Sequence, residues 1–138
     1  MLNRRFFLAS GASLASTLLR PSYCIAASSS VPLGFIFVGT RTCPLCKNAA
    51  PVIALFCERM EIECLYATPD EAPMMPFREY VEARGHPLMA SVKYYPTTLL
   101  YSKKAEEVIA QVEGFKSAQF YVDQLVTLIE FAAELGHV

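Results

Sequence analysis

The chain has 138 residues, 54% of them apolar and 18% charged, with five cysteines, no tryptophan and a formal net charge of -1. That length accommodates one compact domain able to bury a core without a disulfide scaffold. Balanced charge excludes nucleic-acid binding by phosphate neutralisation, and the apolar fraction excludes an intrinsically disordered chain. Either a globular domain or a membrane-associated one fits, and five thiols in an exported protein would leave one over.

Residues 1–27 have the anatomy of a cleavable export signal. Arg4 and Arg5 precede a weakly apolar run, Phe6 to Leu19, which leads to small residues at Ala26, Ala27 and Ser28. The run is shorter than the roughly 20 residues needed to cross a bilayer. Gly11, Ser10, Ser13 and Ser16 dilute it further. Arg4-Arg5-Phe6-Phe7-Leu8 resembles the twin-arginine export motif. A general secretory signal containing two arginines, or an uncleaved anchor, are the other readings of this stretch. Cleavage would remove Arg4, Arg5, Arg20 and Cys24, leaving nine basic against thirteen acidic residues, a net charge of -4, and four cysteines. The expected organisation is a signal peptide over 1–27 and one domain over 28–138, with no internal repeat and no linker.

Leu33 to Val38 is continuous and apolar, as expected of a strand covered on both faces. From Pro44 to Met60 the apolar residues Cys46, Ala49, Ala50, Ile53, Cys57 and Met60 recur at helical spacing. Pro44 is tolerated in the first turn, whereas Pro51 is expected to kink the helix. Ile62 to Tyr66 reads as a second strand. A Pro-rich acidic loop over 67–75 leads to a short helix from Pro76 to Arg84 carrying Phe77, Tyr80 and Val81, stopped by Gly85. Thr97 to Tyr101 and Val108 to Val112 form a β-hairpin. Ser117 caps a final helix whose apolar face is Phe120, Leu125, Leu128, Ile129 and Ala132.

Chemistry concentrates at Cys43-Pro44-Leu45-Cys46. Two cysteines separated by two residues, at the start of a helix that follows a buried strand, place one sulfur at the helix terminus and the other in the turn beneath. Unsatisfied backbone N–H groups and the helix dipole favour a thiolate at Cys43. Arg41 and Lys47 lie close in sequence and could add to that. Cys43 then attacks a disulfide, and Cys46 resolves the mixed disulfide.

With the order strand, helix, strand, helical connection, hairpin, helix, and with Tyr95-Pro96-Thr97 before the hairpin, the chain from Leu33 onward resembles the thioredoxin superfamily. The resemblance implies an α/β fold, a central mixed β-sheet flanked by helices, with an inserted helical segment before the cis-proline strand. Pro96 is the carried-over cis-proline, and Pro44, Leu45, Tyr95, Pro96 and Thr97 are the expected substrate-binding residues. It further implies a thiol-disulfide oxidoreductase, reductase, oxidase or isomerase in type. It would act on protein thiols and disulfides with a membrane or periplasmic redox partner, as a periplasmic or otherwise exported monomer with no cofactor, no metal and no nucleic acid. Three features depart from cytoplasmic thioredoxin. Thr42 replaces its tryptophan, Phe37 replaces its buried acid, and the segment 67–87 is longer. A Cys-Pro-X-Cys pair is closer to glutaredoxins and periplasmic exchange proteins, and that extra segment is a candidate for partner specificity or for simple cover of a sheet edge.

Cys57 lies eleven residues beyond Cys46, roughly 16 Å along the helix at about 1.5 Å per residue, too far for a four-cysteine zinc site. Cys43 pairs with Cys46 as the redox-active disulfide, and Cys57 is either free or bonded to Cys64 in a structural one. His86 and Met74, Met75 and Met89 read as ordinary packing or turn residues. Tyr94 and Tyr95 contact substrate or pack, and Glu63 or another carboxylate could replace the missing acid. Two other functions use the same parts: a Cu(I)-binding metallochaperone-like module held by the two thiolates, and a redox-inactive docking domain. Pro44 and Leu45 bring no charge or histidine, which leans toward a reducing or intermediate role.

Overall fold

The computed structural model describes residues 31–138; the expected signal peptide over 1–27 lies outside them. The elements are β1 (Leu33–Val38), α1 (Pro44–Met60), β2 (Glu63–Thr68), β3 (Val81–Glu82), a 3-10 turn (Pro87–Ser91), β4 (Thr97–Ser102), β5 (Glu107–Glu113) and α2 (Ala118–Glu134). They form one five-stranded sheet in the order β3-β2-β1-β4-β5. β1 runs parallel to β2, and β2 to β3, whereas β4 is antiparallel to both β1 and β5. The sheet is therefore mixed, with β1 at its centre.

The apolar run of β1 serves both faces, because successive side chains in a strand point to opposite sides. Leu33, Phe35 and Phe37 join Ala49, Ile53, Phe56, Tyr121 and Leu125 from the two helices in the main core. Val38, with Ile36 beside it, belongs to a smaller cluster with Ala67, Ala83 and Leu99, covered by Leu88, Met89 and Val92. Both helices therefore pack on one face, and the segment from Ala83 to Val92 covers part of the other.

The termini of the elements follow their sequence signals. Ser117 caps α2, its side chain accepting the Phe120 N–H at 3.2 Å. In α2 it is Tyr121, fully buried, that replaces the half-exposed Phe120 on the inner face. The tail after α2 is pinned to the β4–β5 turn by Ser102 Oγ to His137 Nδ1 at 2.9 Å and by the Lys104 ammonium donating to the Gly136 carbonyl at 2.8 Å. α1 continues as one helix through Pro51.

The segment before the cis-proline strand differs from expectation. No helix spans Pro76 to Arg84; Val81–Glu82 instead adds a short parallel edge strand to β2, pairing with Ala67 and Thr68. Helical structure occurs later, as the 3-10 turn at Pro87–Ser91. Three apolar residues are too weak a helical pattern to outweigh the backbone hydrogen bonds that β2 offers along its open edge. Phe77 leaves this segment to stack on Phe37 and Tyr66, with ring centroids 5.8 and 5.5 Å away. Met74 is buried in the main core beneath the same segment.

Candidate active site

Cys43 is the N-cap of α1, in extended backbone conformation, and its sulfur accepts the Cys46 N–H at 3.2 Å. Negative charge on that sulfur would therefore meet an N–H donor and the positive end of the helix. Opposite it, the Cys43 thiol donates to the Tyr95 carbonyl at 3.7 Å. The Tyr95–Pro96 peptide bond is cis, as is Met75–Pro76. The loop before β4 is braced by the Thr97 hydroxyl donating to the Tyr94 carbonyl at 2.6 Å and by the Gly114 N–H donating to the Pro96 carbonyl at 2.7 Å.

Cys43 is half-buried and Cys46 fully buried. Burial first, and then the adjacent Cys43 sulfur, push the Cys46 thiol up to about 12 from an ordinary value of 9.0. Gly39 is packed against this thiol. A Cβ at Gly39 would stand 3.0 Å from the Cys46 sulfur and 3.2 Å from its Cβ, so glycine is the residue that leaves room.

No carboxylate is buried among the described residues. Glu63 does not take the place of the missing acid: it is exposed at the far end of β2 and pairs with Lys103 at 2.9 Å. The position expected for the acid is filled by Phe37, and the titratable side chain behind Cys46 is Tyr66, a residue that no local motif marks. The Tyr66 hydroxyl donates to the Gly39 carbonyl at 3.4 Å. Burial is the main cause holding its phenol above the usual value, with the Thr68 hydroxyl acting in the opposite sense.

Of the expected site residues, Cys43, Cys46, Tyr95 and the Pro96 loop come together. Pro44 and Leu45 are exposed beside them, Leu45 at 45%. Thr97 is different. It is fully buried, and its hydroxyl braces the loop from beneath, so it does not present a side chain to the surface as expected. Tyr94, 64% exposed, stands on that surface next to Tyr95. Asp70, which no local motif marks, accepts the Arg41 N–H at 2.8 Å and ties the loop after β2 to the loop before α1. Arg41 and Lys47 are both exposed.

Cys57 and Cys64 lie at the other end of α1, and the four cysteines among the described residues are free thiols. His86 caps the 3-10 turn, its Nδ1 accepting the Leu88 N–H at 3.2 Å. Among the described residues no three His, Cys, Asp or Glu side chains converge as a metal site, and no helix is long and apolar enough to cross a membrane.

Comparisons agree with this geometry. Solved structures share the fold at low identity. One is described as a thiol:disulfide interchange protein DsbE, from Chlorobium tepidum; it matches with a TM-score of 0.58 and 16% identity over 75% of this chain and 82% of that one. Spinach chloroplast thioredoxin f, long form, matches with a TM-score of 0.52 and 19% identity over 76% of this chain and 74% of that one. Chlamydomonas reinhardtii thioredoxin f2 matches with a TM-score of 0.51 and 20% identity, over 71% and 76%. No curated protein matches the chain significantly. The family described as TraF, F plasmid transfer operon protein, matches residues 25–126, well over half of the sequence. A thioredoxin-like α/β fold carrying a Cys-Pro-Leu-Cys pair at a helix N-terminus is thus how this chain is built, and the chain belongs to the TraF family of F plasmid transfer operon proteins.

Proposed function

We propose that the protein is an exported thiol-disulfide oxidoreductase in which Cys43 is the nucleophile and Cys46 the resolving thiol. The observation that carries this reading is the position of the Cys43 sulfur, at the N-cap of α1, 3.2 Å from the Cys46 N–H and 3.7 Å from the carbonyl preceding Pro96. In the reducing direction the Cys43 thiolate attacks one sulfur of a protein disulfide, forming a mixed disulfide and releasing one substrate thiolate. Cys46 then gives up its proton and attacks the Cys43 sulfur. The Cys43–Cys46 disulfide forms, the second substrate thiolate leaves, and the substrate gains the two electrons the protein loses. With no buried carboxylate to receive the Cys46 proton, the departing substrate thiolate, with an ordinary pKa of about 8.5, is the available base.

Pro44, Leu45, Tyr95 and Pro96 form the proposed substrate surface, with Thr97 holding it from below. Residues 1–27 act as a signal peptide, of twin-arginine type, that is removed on export to the periplasm, and residues 28–138 work as a monomeric domain on protein substrates, recharged by a membrane or periplasmic redox partner. Pro44 and Leu45 carry no charge, which favours a reducing or intermediate potential within the range of about -270 to -120 mV spanned by related couples. Equilibration with glutathione buffers tests both activity and direction. A couple that cycles at a reducing or intermediate potential supports the reading, and a pair that cannot be cycled sinks it.

A further inference from the structure

The second pair of thiols has no part in that chemistry, yet the fold brings it together. α1 ends at Met60, and Glu61 takes the left-handed conformation, φ 55°. The Ile62 N–H then bonds back to the Cys57 carbonyl at 3.0 Å, a Schellman-type reversal that turns the chain directly into β2. Cys64, opposite Phe35 of β1 in the parallel register, points to the helix side of the sheet with Tyr66. It packs against the same core cluster that contains Cys57, close enough for the two thiols to interact. Cys64 also lines a cavity of about 400 Å³ at the β2–β3 edge, walled by Phe77, Arg78 and Tyr80.

We propose that Cys57 and Cys64 close a second disulfide, independent of the Cys43–Cys46 couple, which ties the last turns of α1 to β2. With glutathione disulfide as oxidant, one of the two protein thiolates attacks it and expels one glutathione thiolate. The other protein thiol loses its proton and displaces the second glutathione. Two protein thiols become one S–S bond, and glutathione disulfide becomes two molecules of glutathione. The Cys64 thiol is held well above its ordinary value, first by its hydrogen bond to Cys57 and then by burial, so the closure is slow near neutrality and accelerates as pH rises. Once closed, the bond shortens the unfolded chain's options over the turn between helix and strand and so stabilises the fold. This inference goes beyond the proposed exchange activity and does not rest on it.

The test uses the full chain and its C43S/C46S double variant, each incubated with oxidised glutathione at pH 7 and pH 9 and then mapped by mass spectrometry without reduction. A Cys57–Cys64 linkage is expected in both proteins, forming faster at pH 9, with a Tm several degrees above that of the reduced double variant. Cys64→Ala, the less buried replacement, and Cys57→Ala abolish the linkage and the Tm rise while leaving exchange through Cys43 at the parental rate. Complete alkylation of both thiols after oxidation, a lasting glutathione adduct on Cys64, or linkage of Cys57 to Cys43 or Cys46 would each overturn the proposal. Inactivity of the parent at Cys43 with an intact Cys57–Cys64 bond would sink the proposed function alone.

Discussion

Each end of α1 has a pair of cysteines beside it, Cys43 with Cys46 at its start and Cys57 with Cys64 of β2 at its close, and the two pairs meet different surroundings. At its N-terminus, Cys43 is half-buried, accepts the Cys46 N–H beside the positive end of the helix and donates to the Tyr95 carbonyl, a position that admits a partner. At its C-terminus, Cys57 is sealed in the core, and its neighbour Cys64 is held protonated by their mutual hydrogen bond and by burial. The proposed difference in reactivity therefore rests on which end of the helix a thiol occupies and how much water reaches it, since the residue type is the same.

That contrast breaks most severely at its reactive end. Cys43→Ser is expected to lower the rate of disulfide exchange with insulin by roughly 10³-fold or more, since the attacking sulfur is gone; an unchanged rate would refute the assignment of the nucleophile. Ile53, fully buried on α1 between the two pairs, holds both ends of the helix on the sheet. Ile53→Ala should cost about 2–5 kcal/mol in urea unfolding. Gly39→Ala acts at one end alone, driving a Cβ against the Cys46 sulfur. It should cost about 1–3 kcal/mol and should slow resolution of the mixed disulfide, seen as longer-lived substrate adducts in quenched-flow mass spectra, while the Cys57–Cys64 end keeps its properties.

The smallest effect expected is the pH dependence of the reduced protein. The Cys46 thiol titrates near 12 in the fold and near 9.0 in the unfolded chain. Between those values the unfolded state has lost a proton that the native state keeps, so stability is fully present below about pH 9 and falls as pH rises toward 12. Urea unfolding of reduced protein at pH 8 and pH 10 should show this decline, and Cys46→Ala should make it shallower, leaving the part that the raised Cys64 thiol contributes in the same direction. A stability that rises over that interval would contradict the burial of this thiol.

Much of this arrangement was legible from residues alone. The continuous apolar run of β1, the three- and four-residue spacing of α1, the hairpin and the Ser117 cap all depend on local periodicity or one side chain bonding its own helix terminus. The strands run a residue or two longer than the expectation, ending at Thr68, Ser102 and Glu113, because ladder partners extend pairing past the apolar core of each run. The pattern around Val81 reads as a helix in isolation, because the open edge of β2 that recruits it is made by residues far away in sequence. Tyr66 and Asp70 carry no local signal for the same reason. A tyrosine in a strand and an aspartate in a turn signal nothing until Gly39 and Arg41 are brought beside them.

The sequence by itself determined the Cys43–Cys46 spacing, the helix on which the pair sits and the strand that precedes it, because these follow from a single contiguous stretch. Only the tertiary structure decided that Cys43 faces the loop before Pro96 and that Thr97 is buried under that loop. It also decided that no carboxylate replaces the missing acid, and that Cys57 and Cys64 are neighbours. Those facts depend on how a sheet of order β3-β2-β1-β4-β5 brings separate segments together, and long-range pairing leaves no periodic trace in any one of them.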